Sequence, residues 1–164
     1  MSTFHSTRSS NEELTSKQAI RKGIADDGGL FVTDSLGETK IDIADLAGKT
    51  YQQIALRVLS VLLDDYSEEE LKQCIDEAYG SQWSDERITP VKPLGSDFVM
   101  ELFNGPTCAF KDVALQILPR LMARTNEEDG DGEKIMIVTA TSGDTGKAAL
   151  AGFADAPGTG ITVF

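Results

Sequence analysis

The chain has 164 residues, with 15 Lys and Arg against 27 Asp and Glu, a formal charge of −12 and 40% hydrophobic residues. That is enough for one sizeable core, or a small domain plus part of another. The charge excludes a nucleic-acid binder, which needs clustered Lys and Arg to neutralise phosphates. No apolar run nears the length of a membrane span, and the polar N-terminus lacks a signal-peptide core, so a cytoplasmic protein is expected.

In chain order, residues 16–24 predict a short helix with Ala19, Ile20 and Ile24 facing a core. Leu30, Phe31 and Val32 predict a strand after the Asp27-Gly28-Gly29 turn. Residues 50–64 predict a stronger helix, with Ile54, Ala55, Val58, Leu59 and Leu62 at steps of three and four. Ser67 before Glu68, Glu69 and Glu70 forms a capping box, and the helix it starts should bury Leu71, Cys74, Ile75 and Ala78 and stop at Gly80. Residues 81–93 contain Pro90 and Pro93 and little periodicity, which places a domain boundary there, with Trp83 and Arg87 at the junction. The expected division is 1–92 and 93–164.

Residues 98–102 predict a strand that leads into Asn104-Gly105-Pro106-Thr107-Cys108-Ala109-Phe110-Lys111-Asp112. The turn delivers Lys111 to the start of an apolar helix carrying Val113, Leu115, Ile117, Leu118 and Leu121. A kink or break is expected in that helix at Pro119, which lacks an N–H. A lysine at a helix N-terminus is disfavoured by the macrodipole and loses its proton more readily, and a neutral amine is a nucleophile. Asp112 is placed to hold a nearby N–H or to orient Lys111.

Residues 127–133 read as a charged surface loop. Their acidic spacing fits no calcium loop, and no metal site is expected. About thirty residues beyond the lysine, at βαβ spacing, Ile135 to Thr139 form an apolar run suited to a buried strand. It is followed by Ala140-Thr141-Ser142-Gly143-Asp144-Thr145-Gly146 and a helix. Such a loop lies at the carboxyl end of its strand, where open parallel sheets bind ligands, and its glycines and free N–H groups suit an anion. As plain structure, Asp144 or Thr145 would be the helix N-cap. Cys74 and Cys108 read as reduced thiols in packing roles. There is no internal repeat.

Two other enzyme classes fail on spacing. The glycines of Gly143-Asp144-Thr145-Gly146-Lys147 are too close for a phosphate-binding P-loop, and Ala148 follows where a hydroxyl is needed. Ser142 lacks the Gly-x-Ser-x-Gly elbow of a serine hydrolase, and the single histidine, His5, lies far away in sequence.

The segment Phe103-Asn104-Gly105-Pro106-Thr107-Cys108-Ala109-Phe110-Lys111-Asp112, with the uninterrupted Ala140 to Gly146 string, resembles the threonine synthases, fold-type-II enzymes that use pyridoxal phosphate (PLP). Ser6-Thr7-Arg8 and Asp27-Gly28-Gly29-Leu30 resemble the opening of the same family. Asn104 stands where His is common, Cys108 where Leu or Gly is usual, and Ser9 where Gly often follows the Arg.

The resemblance implies an α/β protein: a small N-terminal α/β domain, then the start of a fold-type-II parallel-sheet domain. Members of the family are well over twice as long. The glycine-rich loop for the cofactor phosphate is absent here, and residues 161–164 read as a strand cut short, so an N-terminal fragment without a complete active site is expected. For the parent enzyme, the resemblance implies conversion of O-phospho-L-homoserine and water to L-threonine and phosphate. It makes Lys111 the Schiff-base lysine and acid/base, and places Phe110 and Asp144 at the cofactor. Thr141, Ser142, Gly143 and Thr145 fall at the substrate carboxylate, and Arg8 becomes a supporting group. Other PLP lyases or dehydratases of this fold usually carry Ser-x-Gly-Asn at the second motif. A non-catalytic relative is the reading from a different class.

Overall fold

The computed structural model describes residues 2–9, 11–38, 40–129 and 134–164, with the side chains of 127–129 excepted. β1 (His5–Ser6) pairs antiparallel with β2 (Phe31–Val32). Between them, α1 (Ser16–Lys22) opens on a capping box in which the Thr15 hydroxyl accepts from the Gln18 N–H and the Gln18 side chain accepts from the Thr15 N–H. Gly23, at φ 74°, turns the chain out of the helix. The predicted helix therefore ends early, and Ile24, expected in the core, is 59% exposed.

α2 (Tyr51–Leu62) and α3 (Glu68–Ala78) both begin with capping boxes, at Thr50/Gln53 and at the predicted Ser67/Glu70. α3 buries Leu71, Cys74, Ile75 and Ala78, as its spacing requires. These residues form the centre of a core joined by Trp83, Ile117 and Leu121, against which Ala55 and Leu59 of α2 pack. Arg87, expected to pack at the junction, instead stays on the surface in an ion pair with Asp85.

β3 (Val91–Leu94) and β4 (Asp97–Met100) form an antiparallel hairpin, with Leu94 opposite Asp97 across a turn holding Gly95 at φ 62°. Pro90 and Pro93 made β3 read as linker. An isolated two-stranded hairpin tolerates Pro93 because each of its strands is an edge.

The apolar stretch after Lys111 breaks where Pro119 predicts it, into α4 (Asp112–Leu115) and α5 (Leu118–Asp129). Pro119 falls in the first turn of α5, where a missing N–H costs nothing. α5 continues through residues expected to be loop, since glutamates are good helix formers; residues 130–133 lie outside the described residues.

β5 (Ile135–Thr139) runs parallel to β6 (Thr159–Val163), with Ile137 opposite Ile161, and α6 (Asp144–Phe153) is the crossover. β5 is not fully buried as expected. Its side chains alternate, and Met136 and Val138 are 57% and 67% exposed because neither is covered by a packed element. α6 packs on α4 so closely that a Cβ on Gly152 would strike the Leu115 carbonyl oxygen. Among the described residues, no helix is long and apolar enough to cross a membrane.

Candidate functional site

The turn before α4 is organised by a buried carboxylate. Asp112 is fully buried; its Oδ2 accepts the Thr107 N–H at 2.8 Å and its Oδ1 the Thr107 hydroxyl at 2.7 Å. The carboxylate thus meets both of its donors within one residue, which satisfies most of its demand inside the protein. Gly105 must lack a side chain here, because a Cβ would lie 2.5 Å from Asp112 Oδ2 and 2.6 Å from its Cβ. Asp112 therefore holds a neighbouring N–H, as its position suggested.

Lys111 follows directly from this turn. It occupies the cap position of α4 (φ −67°, ψ −15°) and is half-buried. Its Nζ lies 4.9 Å from the centre of the Phe110 ring, and among the described residues no carboxylate pairs with it. Phe110 itself is 61% exposed, so the ring takes no part in the core.

The second motif sits at the carboxyl end of β5, where the Thr141 N–H donates to the Phe164 carbonyl at 3.1 Å. Gly143, rather than Asp144 or Thr145, caps α6, with no side-chain cap hydrogen bond among the described residues. Asp144 is already helical and exposed, and it makes no cap bond. Ser142 and Gly143 are exposed, while Thr141 and Thr145 are half-buried.

The two motifs meet. Lys147 Nζ, from the first turn of α6, donates to the Thr107 carbonyl oxygen at 2.8 Å, while α4 packs on α6. The turn carrying Lys111 and the helix started by the 141–145 loop are thus bonded side by side. Sequence reasoning missed Lys147. Its signal was the one that marked Lys111, a cation at the disfavoured end of a helix.

Residues 3–79 match the family model described as the threonine synthase N terminus. The chain is 38% identical over 152 residues to a threonine synthase of Pseudomonas aeruginosa, covering 91% of this chain and 32% of that protein. Against the threonine synthase of Saccharomyces cerevisiae it is 37% identical over 166 residues, with the same coverages of 91% and 32%. The crystal structure of PLP-bound threonine synthase from Brucella melitensis superposes with a TM-score of 0.90 at 36% identity, over 99% of this chain and 35% of that one. The yeast threonine synthase structure gives 0.85 at 31% identity, over 98% of this chain and 35% of that one. The chain is similar to threonine synthases over nearly all of its length. It spans about a third of the length of the curated relatives it matches, and its mixed α/β architecture with open sheets is that of the matching portion of the solved threonine synthases.

The motif departures now have places. Asn104 is buried and its Oδ1 accepts from Ser84 Oγ at 3.0 Å, which anchors the strand-to-turn junction. Cys108, expected to pack, is exposed instead, at the apex of the turn with φ 61°, a region few non-glycine residues enter. Arg8 braces the early Gly-Gly turn: its Nη1 donates to the Asp27 carbonyl at 2.9 Å. The Ser6 hydroxyl and the Gly29 N–H hold the Asp27 carboxyl below its usual range.

Proposed function

We propose that this chain carries the cofactor lysine and the substrate-carboxylate loop of a cytoplasmic threonine synthase. That enzyme converts O-phospho-L-homoserine and water to L-threonine and phosphate. The observation that carries the reading is the Lys147–Thr107 bond, which sets the lysine-bearing turn against the start of α6. A relative solved in a PLP-bound form, matched over nearly the whole of this chain, supports it.

The residues present fit the cofactor and an anionic substrate. Lys111 offers an amine with no carboxylate partner among the described residues, on a turn braced by a buried Asp112. When bound, PLP supplies an electron sink for the negative charge left when protons leave the substrate carbons. Lys111 would hold the cofactor through its ε-amine and, once released, carry those protons at Nζ. One group serves both tasks because an amine is a nucleophile when neutral and an acid when charged. Phe110 would border the cofactor ring.

Thr141, Ser142 and Thr145 offer hydroxyls, and the uncapped start of α6 offers N–H groups, a donor set that suits the substrate carboxylate. Gly143 lets that backbone be approached, as a Cβ there would meet nothing within 4 Å. Asp144, when ionised, only accepts hydrogen bonds and would serve a polar donor of the cofactor. The division into residues 1–92 and 93–164 belongs to the same reading, the second part carrying all of these groups.

The test is chemical. Incubation with PLP, borohydride reduction and peptide mapping should label Lys111 selectively in the wild type, and not in Lys111→Ala. Labelling spread over many lysines would reject a preorganised pocket. In a protein of the relatives' full length, Lys111→Ala should abolish phosphate release from O-phosphohomoserine; turnover that survives would remove Lys111 from the chemistry.

A further inference from the structure

Lys147 lies in the first turn of α6, where the helix dipole disfavours a cation. Its ammonium is not left in water above its own helix; it reaches across to the Thr107 carbonyl at 2.8 Å. Thr107 is thereby engaged at its N–H and hydroxyl by Asp112 and at its carbonyl by Lys147. The turn is gripped from the inside by a buried carboxylate and from the outside by an ammonium on a different element.

The two grips do different work. Asp112 belongs to α4 and fixes the shape of the turn relative to its own helix. It cannot set where that unit sits relative to the 141–145 loop. At the far end of α4, the Leu115 carbonyl lies against Gly152, where no Cβ fits. That contact holds the far end of α4 on α6 and does not by itself fix the turn before it. The Lys147 bond supplies a second point, near the other end and four residues before Lys111.

We propose that Lys147 is a positioning residue which sets the orientation of the lysine-bearing turn, so that Nζ of Lys111 meets a cofactor bordered by the 141–145 loop. This rests on the PLP reading above. Lys147 touches neither cofactor nor substrate in this role; it acts through the Thr107 carbonyl.

The experiment compares wild type, Lys147→Met, which keeps an unbranched side chain only one atom shorter and removes the donor, and Lys147→Arg, which keeps a donor. Each is titrated with PLP, reduced with borohydride and mapped, with thermal midpoints measured in parallel. Lys147→Met should lower the yield at Lys111 at limiting PLP by roughly tenfold, the scale of one hydrogen bond to a charged group. Its melting temperature should fall by only a few degrees, and Lys147→Arg should restore most of the yield. Equal Lys111 labelling in wild type and Lys147→Met, or no recovery in Lys147→Arg, overturns the proposal.

Wild type that fails to label Lys111 selectively sinks the PLP reading instead, and amide hydrogen exchange across residues 105–112 then decides the tether. Exchange there should quicken several-fold in Lys147→Met and recover in Lys147→Arg. Unchanged exchange rejects the tether as well.

Discussion

Replacing Gly105 by Ala tests the geometry on which the lysine turn depends. The added methyl would lie 2.5, 2.6 and 2.9 Å from Asp112 Oδ2, Cβ and Cγ. Ordinary contact begins at about 3.5 Å, so roughly 1 Å must be found. Asp112 is fully buried and held by both donors of Thr107, so it cannot swing aside without stranding them. Moving the backbone costs about 1–3 kcal/mol as overpacking; abandoning a buried hydrogen bond costs about 1–3 kcal/mol as well. Against this, alanine restricts the unfolded chain and returns about 0.4–1 kcal/mol.

The steric term wins, leaving a net loss of about 1 kcal/mol, or a fall in melting temperature of about 2–4 °C at this chain length. Gly37→Ala is the control, since a Cβ there meets nothing within 4 Å and its φ is not positive; it should be neutral or slightly stabilising. A calorimetric scan in which Gly105→Ala melts at or above wild type would refute the buried Asp112–Thr107 arrangement.

Two further outcomes follow from the core side of the molecule. Burial raises the Glu70 pKa, but hydrogen bonds from Lys17 Nζ at 2.8 Å and from the Ser67 hydroxyl and N–H outweigh it and bring the pKa down from 4.5 to about 2. A depressed folded-state pKa stabilises above the unfolded value, so this contribution is whole above pH 4.5 and is lost as the pH falls toward 2. Glu70→Gln should flatten the acid limb of the melting profile, and a variant profile parallel to wild type would contradict this. Tyr79 donates to the Val113 carbonyl at 2.8 Å, tying the end of α3 to α4, and burial, with Tyr51 nearby, pushes its phenol well above the usual range. Tyr79→Phe should cost about 1 kcal/mol, or about 2–4 °C, with no alkaline inflection lost below pH ~10; denaturant midpoints identical to wild type would show that the bond contributes nothing.

What the sequence determined by itself is what local chemistry settles. Ser67 and Glu70 cap α3 because their side chains reach only backbone three residues away. The chain breaks before Pro119 because a ring without an N–H cannot sit inside a continuous helix. Ile135 to Thr139 form a strand with the predicted bounds, and Lys111 stands at a helix start, because apolar runs and turn residues fix such points within a few positions. The likeness to threonine synthases, too, was legible in two short motifs, since each packs many chemically demanding positions into one run.

Tertiary structure decided what depends on a partner distant in sequence. Asp112 becomes a fully buried clamp only because Thr107 folds back over it, and Gly105 is required only because Asp112 is there. The exposure of Ile24, Cys108 and Val138 contradicts their apolar character, because burial is set by whichever element happens to cover a side chain. The β3–β4 hairpin hid behind its prolines, since edge position, not composition, makes Pro93 tolerable in a strand. Most of all, a lysine 40 residues beyond Thr107 closes on that residue's carbonyl oxygen. No pattern along the chain encodes that contact; it exists because α6 packs on β6 and on α4 and brings the first turn of one motif against the backbone of the other.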